Sequence, residues 1–368
     1  MYKSWYKFVV SLLVVLSLLI FSNMVFAQGR NLTTPQASPH ASVSQTIGIT
    51  EITIDYHRPG VKGRKIWGGL VPHGMAPGAA FNFNNEFPWR AGANENTTIS
   101  FSTDVTVEGT KIPAGKYGLH MIPSENDWTL VLSKDNAAWG SFFYDEKNDQ
   151  ARITVTPTPS GEHEWLKYDF ENLSPNSTVA NLYWEKLKVP FKIDVDLNKT
   201  VLANMRTELT NLAGFNWQAW MQAAQFCLRN NMNHDEALTW IDHSISGNKN
   251  VRNVGVRAML LEKSGQPAKA KTAIAETMTL ADQSDVETDL NNLGYLFLFN
   301  GKTDEAIKVF KLNVKKHPDA WNTYDSLADA FQKKGKVADS VKNYKIALQK
   351  APATQKGRIE GVLNSMQN

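Results

Sequence analysis

Gly301 and Gly335 stand 34 residues apart, and so do Phe297 and Phe331, Phe310 and Tyr344, and Pro318 and Pro352. A fixed period of this length, with small, aromatic and proline residues in one register, restricts the C-terminal part to stacked copies of one small unit. Each copy is too short to bury an apolar face alone, so neighbours must supply the rest of its core. The spacing predicts two antiparallel helices per unit. Glycine closes the turn between them, where a helix C-terminus takes a left-handed residue, and proline ends the second helix.

Leu290, Leu293, Gly294, Phe297, Ala306, Phe310 and Pro318 occupy the key positions of one unit. Tyr324, Leu327, Ala328, Phe331, Ser340, Tyr344 and Pro352 occupy those of the next. This pattern resembles the tetratricopeptide repeat. Two weaker units precede it, one with Ala258, Leu261, Gly265 and Ala270, the other with Met221, Leu228, Ala237 and Ile241. Four units suffice for a continuous core. The resemblance implies a groove lined by the first helix of each unit, and a protein partner. The outward positions expected there are Asn291, Tyr295 and Leu298, then Asn322, Asp325, Asp329 and Gln332. Amides and carboxylates in a groove suit extended backbone and basic side chains. A purely structural solenoid is the alternative. Cys227 sits between Phe226 and Leu228 in a helical pattern and reads as a small buried hydrophobe.

The first 27 residues read as an export signal: Lys3 and Lys7, an apolar run from Phe8 to Ile20, and Val25-Phe26-Ala27 with small residues at the cleavage positions. Cleavage is expected after Ala27, with no membrane anchor left afterwards. Removing Lys3 and Lys7 from 39 basic residues leaves 37 against 36 acidic ones. Such balance gives no reason to expect nucleic acid or an anionic membrane as partner. The lone cysteine excludes an intramolecular disulfide. The expected layout is a signal peptide at 1–27, a flexible arm at 28–39, a β domain at 40–195, a linker with a bridging helix at 196–215, and the repeats at 216–368.

Between Ser42 and Val195 the apolar pattern has a period of two: Ile52, Ile54, Tyr56; Ile99, Phe101; Val105, Val107; Tyr117, Leu119, Met121; Trp128, Leu130, Leu132; Ile153, Val155; Leu182, Trp184; Phe191, Ile193, Val195. Some eight short strands with turns at 108–109, 113–115, 124–127 and 157–161 predict an antiparallel β-sandwich or jelly-roll-like domain. One long insertion, 58–96, is rich in Gly, Pro and Asn. Loops of that length are functional or mobile.

The insertion carries the candidate sites. Arg58, Lys62, Arg64 and Lys65 place four cations in a glycine-rich loop, suited to a phosphate, sulfate or carboxylate, or else paired with Glu86 and Glu95. Trp89, Arg90, Asn94 and Glu95 mix aromatic, guanidinium, amide and carboxylate around Gly92. They fit a polar ligand pocket, or an internal network with Arg90 paired to Glu95. His57, His120 and Glu95 are the one conceivable two-histidine, one-carboxylate set, but no metal spacing supports it, so neither metal nor cofactor is expected. His120, between Leu119 and Met121, should face away from both. No nucleophile elbow, carboxylate pair or phosphate loop marks a catalytic residue; Glu162 and Glu164 read as solvated flanks of a turn.

Ala37-Ser38-Pro39-His40-Ala41, Tyr56 through Arg64, Pro88 through Glu95, Pro113 through Leu119 and Trp139-Gly140 together resemble the domain of unknown function 2911 family. The family occurs in exported bacterial proteins, some with tetratricopeptide repeats. The resemblance implies location and domain extent but no activity. The sequence thus predicts an exported, non-catalytic interaction protein. Its repeats would hold a protein partner, and its β domain a protein or polar ligand. The alternative is a periplasmic hydrolase, or a carbohydrate-binding protein using Trp67, Trp89 and Trp139.

Overall fold

The computed structural model describes residues 34–366; the expected export signal and its cleavage point lie outside them. The chain divides into two compact units, one ending at Val195 and the other beginning at Asp196.

The N-terminal unit contains, among the described residues, β1 (His40–Ile47), β2 (Thr50–His57), β3 (Thr98–Phe101), β4 (Val105–Val107), β5 (Thr110–Ile112), β6 (Gly115–Ile122), β7 (Trp128–Ser133), β8 (Asp149–Val155), β9 (Thr158–Glu171) and β10 (Ser177–Asp194). They form a six-stranded sheet, β1-β2-β3-β6-β7-β8, and a four-stranded sheet, β5-β4-β10-β9, with antiparallel pairing throughout. The alternating residues do what their period demands. Ile52, Ile54, Ile99, Leu119, Met121 and Leu130 of one sheet share a single core with Leu182, Val189, Phe191 and Ile193 of the other. The segment read as a turn at 157–161 is instead the start of β9. Pro159 is tolerated because β9 is an edge strand, with a free side where no amide is needed.

Insertion 58–96 is packed down. Isolated bridges join Gly60 to Trp165 and Trp89 to Met121. Ile66, Val71 and Ala91 enter the core. Trp67 and Trp89 form an aromatic cluster with Trp128 and Trp184, with ring centroids 4.8 to 6.4 Å apart. Each indole buries a large apolar area, and edge-to-face contact adds about 0.5–1.5 kcal/mol per pair.

The second unit is helical: α1 (Leu197–Leu209), α2 (Trp217–Arg229), α3 (His234–Gly247), α4 (Val251–Lys263), α5 (Pro267–Gln283), α6 (Glu287–Phe299), α7 (Thr303–Lys316), α8 (Trp321–Lys333), α9 (Val337–Lys350) and α10 (Ala353–Ser365). Asp196 caps α1 by accepting from the Lys199 amide. Helices α2/α3, α4/α5, α6/α7 and α8/α9 form the four hairpins. Ala224, Ala258, Gly294 and Ala328 are buried small residues at equivalent positions of their first helices. The spacing stretches from 34 to 36 between the second and third units, where α5 has 17 residues against 14 in α3, α7 and α9. That stretch is why the first two units read weakly. α10 closes the stack with Ile359 and Leu363 against Tyr344 and Ala347.

Two kinds of glycine are distinguishable. A Cβ on Gly294 would lie 2.3 Å from the Phe310 ring, whereas Gly301, at φ 79°, has open space around it. Asn231 holds the turn position of Gly301 in the first unit, at φ 50°. Gly301→Asn should therefore cost well under about 1 kcal/mol. Gly294→Ala should cost about 1–3 kcal/mol by overpacking. Thermal melts followed by circular dichroism compare the two; equal losses would contradict this division.

Candidate functional site

The loop from Pro88 to Thr97 is the hub of the N-terminal unit. Ala91 and Asn94 sit at positive φ, 48° and 55°. A side chain on Gly92 would meet Thr97 Oγ1 at 2.5 Å. Backbone held in sparsely populated conformations requires surroundings that fix it. Here Tyr168 donates its hydroxyl to the Ala91 carbonyl at 2.9 Å. Asn94 Nδ2 reaches the Ser38 carbonyl at 3.1 Å and Gln36 Oε1 at 3.3 Å, so the end of the expected arm is tied to the loop.

A cavity opens on each side of this loop, and the sequence-predicted residues divide between them. Arg64, Trp89, Arg90 and Asn94 line one of about 400 Å³. His57 and Glu95 line the other, about 430 Å³, with His40, Asp55, Lys116 and Trp139. Arg58 serves the fold, its Nε donating to the Leu166 carbonyl at 2.8 Å. The loop cations do not pair with Glu86 or Glu95 among the described residues. Arg64 donates to the Val61 and Gly60 carbonyls at 3.1 and 2.6 Å, and Glu164, now within β9, accepts from the Lys62 amide at 2.9 Å. Nor does Arg90 pair with Glu95. It donates to the Asn94 carbonyl and lies 4.6 Å from the Phe142 ring centre.

In the second cavity His57 Nε2 and Glu95 Oε2 are 3.1 Å apart, and His40 and Asp55 are 3.7 Å apart. Burial lowers the His57 pKa, with Glu95 pulling the other way and His40 adding to the lowering. Trp139 stands at the rim, 61% exposed, whereas Trp67 and Trp89 belong to the internal cluster. The three tryptophans therefore make no common platform.

His120 faces away from Leu119 and Met121 as expected, yet it is only 2% exposed. Segment 135–148 covers that face of the sheet: Asp135 crowds Gly118, and the Tyr144 ring lies 5.9 Å from the imidazole. His120 Nδ1 has no hydrogen-bond partner among the described residues. It is not joined to His57 and Glu95; no group of three or more metal-ligating side chains occurs among the described residues.

In the repeat unit the expected groove residues are largely engaged. Asn291 accepts from Ser326 at 2.7 Å, and Asn322 donates to Glu287 at 2.5 Å. Asp325 holds Arg358 at 2.8 Å. Asp329 accepts from Tyr295 at 2.6 Å and also from Tyr344. Leu298 turns into the core. The open surface lies one helical step round. There Gln225, Arg229, Arg252, Asn292, Tyr295 and Phe299, from α2, α4 and α6, surround a cavity of about 340 Å³. Phe299 is 80% exposed. Arg252 has only a 3.9 Å contact with Asp289, and Arg229 has no carboxylate partner among the described residues. The repeat period locates the helices; which side chains remain free depends on cross-unit hydrogen bonds that no spacing reveals.

Residues 38–193 match the family described as "Protein of unknown function (DUF2911)". In the helical unit, a crystal structure of MamA is 15% identical, covering 44% of this chain and 85% of that one, with a TM-score of 0.29. TTC0263, a thermophilic TPR protein of Thermus thermophilus, is 13% identical over 46% of this chain and 91% of that one, TM-score 0.33. YrrB, described as a TPR protein with an unusual peptide-binding site, is 16% identical over 42% and 79%, TM-score 0.27. No curated protein matches the chain.

Burial, with the Arg90 charge adding to it, lowers the His120 pKa to about 4. The folded protein then binds this proton only near pH 4, the unfolded chain near about 6.5. The resulting stability is complete above pH 6.5, falls as pH drops and is gone below 4, a difference of about 3 kcal/mol. His120→Gln should remove that part of the acid dependence in urea titrations of stability between about pH 7 and 4. Parallel profiles would show that His120 does not carry it.

Proposed function

We propose that this is an exported recognition protein whose helical repeats hold an acidic, apolar peptide segment of a protein partner. The observation that carries the reading is the pairing of exposed Phe299 with Arg229, which has no carboxylate partner among the described residues, on one helix face. Among the described residues Arg252 has only the 3.9 Å contact with Asp289; the apolar anchors are Tyr295, Leu296 and Phe299, and Gln225 and Asn292 supply amides. Aromatic and arginine side chains are among the residue types that dominate binding hot spots, and here Phe299 is exposed beside Arg229. The carboxylates that would have favoured a basic ligand, Asp325 and Asp329, are neutralised or saturated within the stack. Charge complementarity therefore points to Asp- or Glu-bearing peptides with an aromatic or aliphatic residue for the Phe299 end.

Peptide arrays carrying acidic, neutral and basic versions of the same apolar cores test this. The wild type should favour the acidic versions, and Arg229→Glu should lower that preference about tenfold or more. Signals indifferent to peptide charge, or unchanged by the reversal, would overturn the reading.

Export is supported by Lys3 and Lys7, the apolar run to Ile20 and the small residues ending at Ala27. Protein recovered from a bacterial host's periplasm should begin at Gln28 on N-terminal sequencing. An intact Met1 in a cytosolic fraction would contradict it.

A further inference from the structure

We propose that the cavity lined by Arg64 and Arg90 is a binding site for a small organic carboxylate with an apolar body. The site lies wholly within the N-terminal unit, so it stands or falls independently of peptide binding by the repeats.

The charge balance of the cavity is one-sided. Among the described residues, two arginines line it and no Asp or Glu does. The hydrogen bonds recorded for both guanidinium groups go to backbone carbonyls, which carry no net charge: Arg64 to Val61 and Gly60, Arg90 to Asn94. Arg90 packs close against Gly140, where a Cβ would come 2.2 Å from its Cζ, and lies 4.6 Å from the centre of the Phe142 ring. Burial lowers its pKa with no neighbouring carboxylate to oppose the shift. A desolvated cation without a counter-charge carries a large penalty, and a bound anion would offset it.

Trp184 lines the same cavity, and its indole N–H is buried without an acceptor among the described residues. Buried donors are rarely left unpaired in native proteins. A carboxylate offers two oxygens and about four lone-pair directions, enough to serve a guanidinium fork.

The wall sets the class of ligand further. Leu70, Pro72, Phe87 and the stacked rings of Trp89 and Trp184 are among the apolar residues of the remaining wall. About 400 Å³ falls in the range of small-molecule sites. A phosphate dianion loses more hydration than a carboxylate on entering such a wall, and it has no apolar body to bury. A neutral apolar molecule gains the wall but leaves the donors unserved.

Isothermal titration of the purified protein with 4-phenylbutyrate and octanoate, their corresponding alcohols, and inorganic phosphate tests the assignment. At least one acid should bind saturably, with its alcohol about tenfold or more weaker, and phosphate weaker than the acid. Arg90→Met, which keeps the stem, should erase the difference between acid and alcohol. Should that variant fail to fold, the acid–alcohol comparison on the wild type decides alone. Equal binding of acid and alcohol, phosphate binding as tightly as the acids, or no saturable heat from either acid would each overturn the proposal.

Discussion

Four indole rings hold the N-terminal unit in its working form. Trp128 and Trp184 come from the two sheets, while Trp67 and Trp89 come from the long insertion. Their mutual contact turns a glycine- and proline-rich segment into a fixed wall. Without that anchor the bridges at Gly60 and Trp89 would have little to hold them, because isolated pairs contribute few hydrogen bonds. The cavities on either side of Pro88–Thr97 inherit their shape from this cluster. The left-handed backbone at Ala91 and Asn94 persists because Tyr168, Ser38 and Gln36 hold it.

The repeats depend on a different rule, one of size. A small residue lies at the crossing in each hairpin, and an aromatic or aliphatic one fills the gap beside it. Gly294 meets Phe310; in the next unit Ala328 and Tyr344 occupy the corresponding positions. The tyrosine hydroxyl brings a polar atom into the stack, and Asp329 accepts it together with that of Tyr295. Ser340 is treated likewise, donating to the Ala328 carbonyl at 2.9 Å. Polar residues near the seam thus serve the stack before they can serve a ligand.

The sequence displayed the two-part architecture because both periods, two residues in strands and 34 in the repeats, follow from burial of one face. It displayed the last two hairpins better than the first two, since α5 breaks the spacing and Asn231 replaces a glycine. Pro159 disguised the start of β9 as a turn. The site was legible by residue type but not by grouping. His57 and Glu95 meet, Arg64 and Arg90 share a cavity, and His120 lies under a covering segment. Which of them converge is decided by the path of the insertion and of segment 135–148. Neither segment has a periodicity to read. In the repeats, hydrogen bonds that no spacing reveals engage two of the residues expected to face outward: Asp329 accepts from Tyr295, and Asp325 from Arg358.

Cys227 lies in α2 of the first hairpin, fully enclosed, and burial pushes its thiol up to about 11. A sulfur so protonated and shielded is inert toward oxidants and alkylating reagents while the hairpin stays shut. It becomes reactive only when α2 and α3 part. The single sulfhydryl is thus a built-in chemical clock: its labelling rate reports how often the start of the solenoid breathes, at a position where no other thiol can confuse the reading.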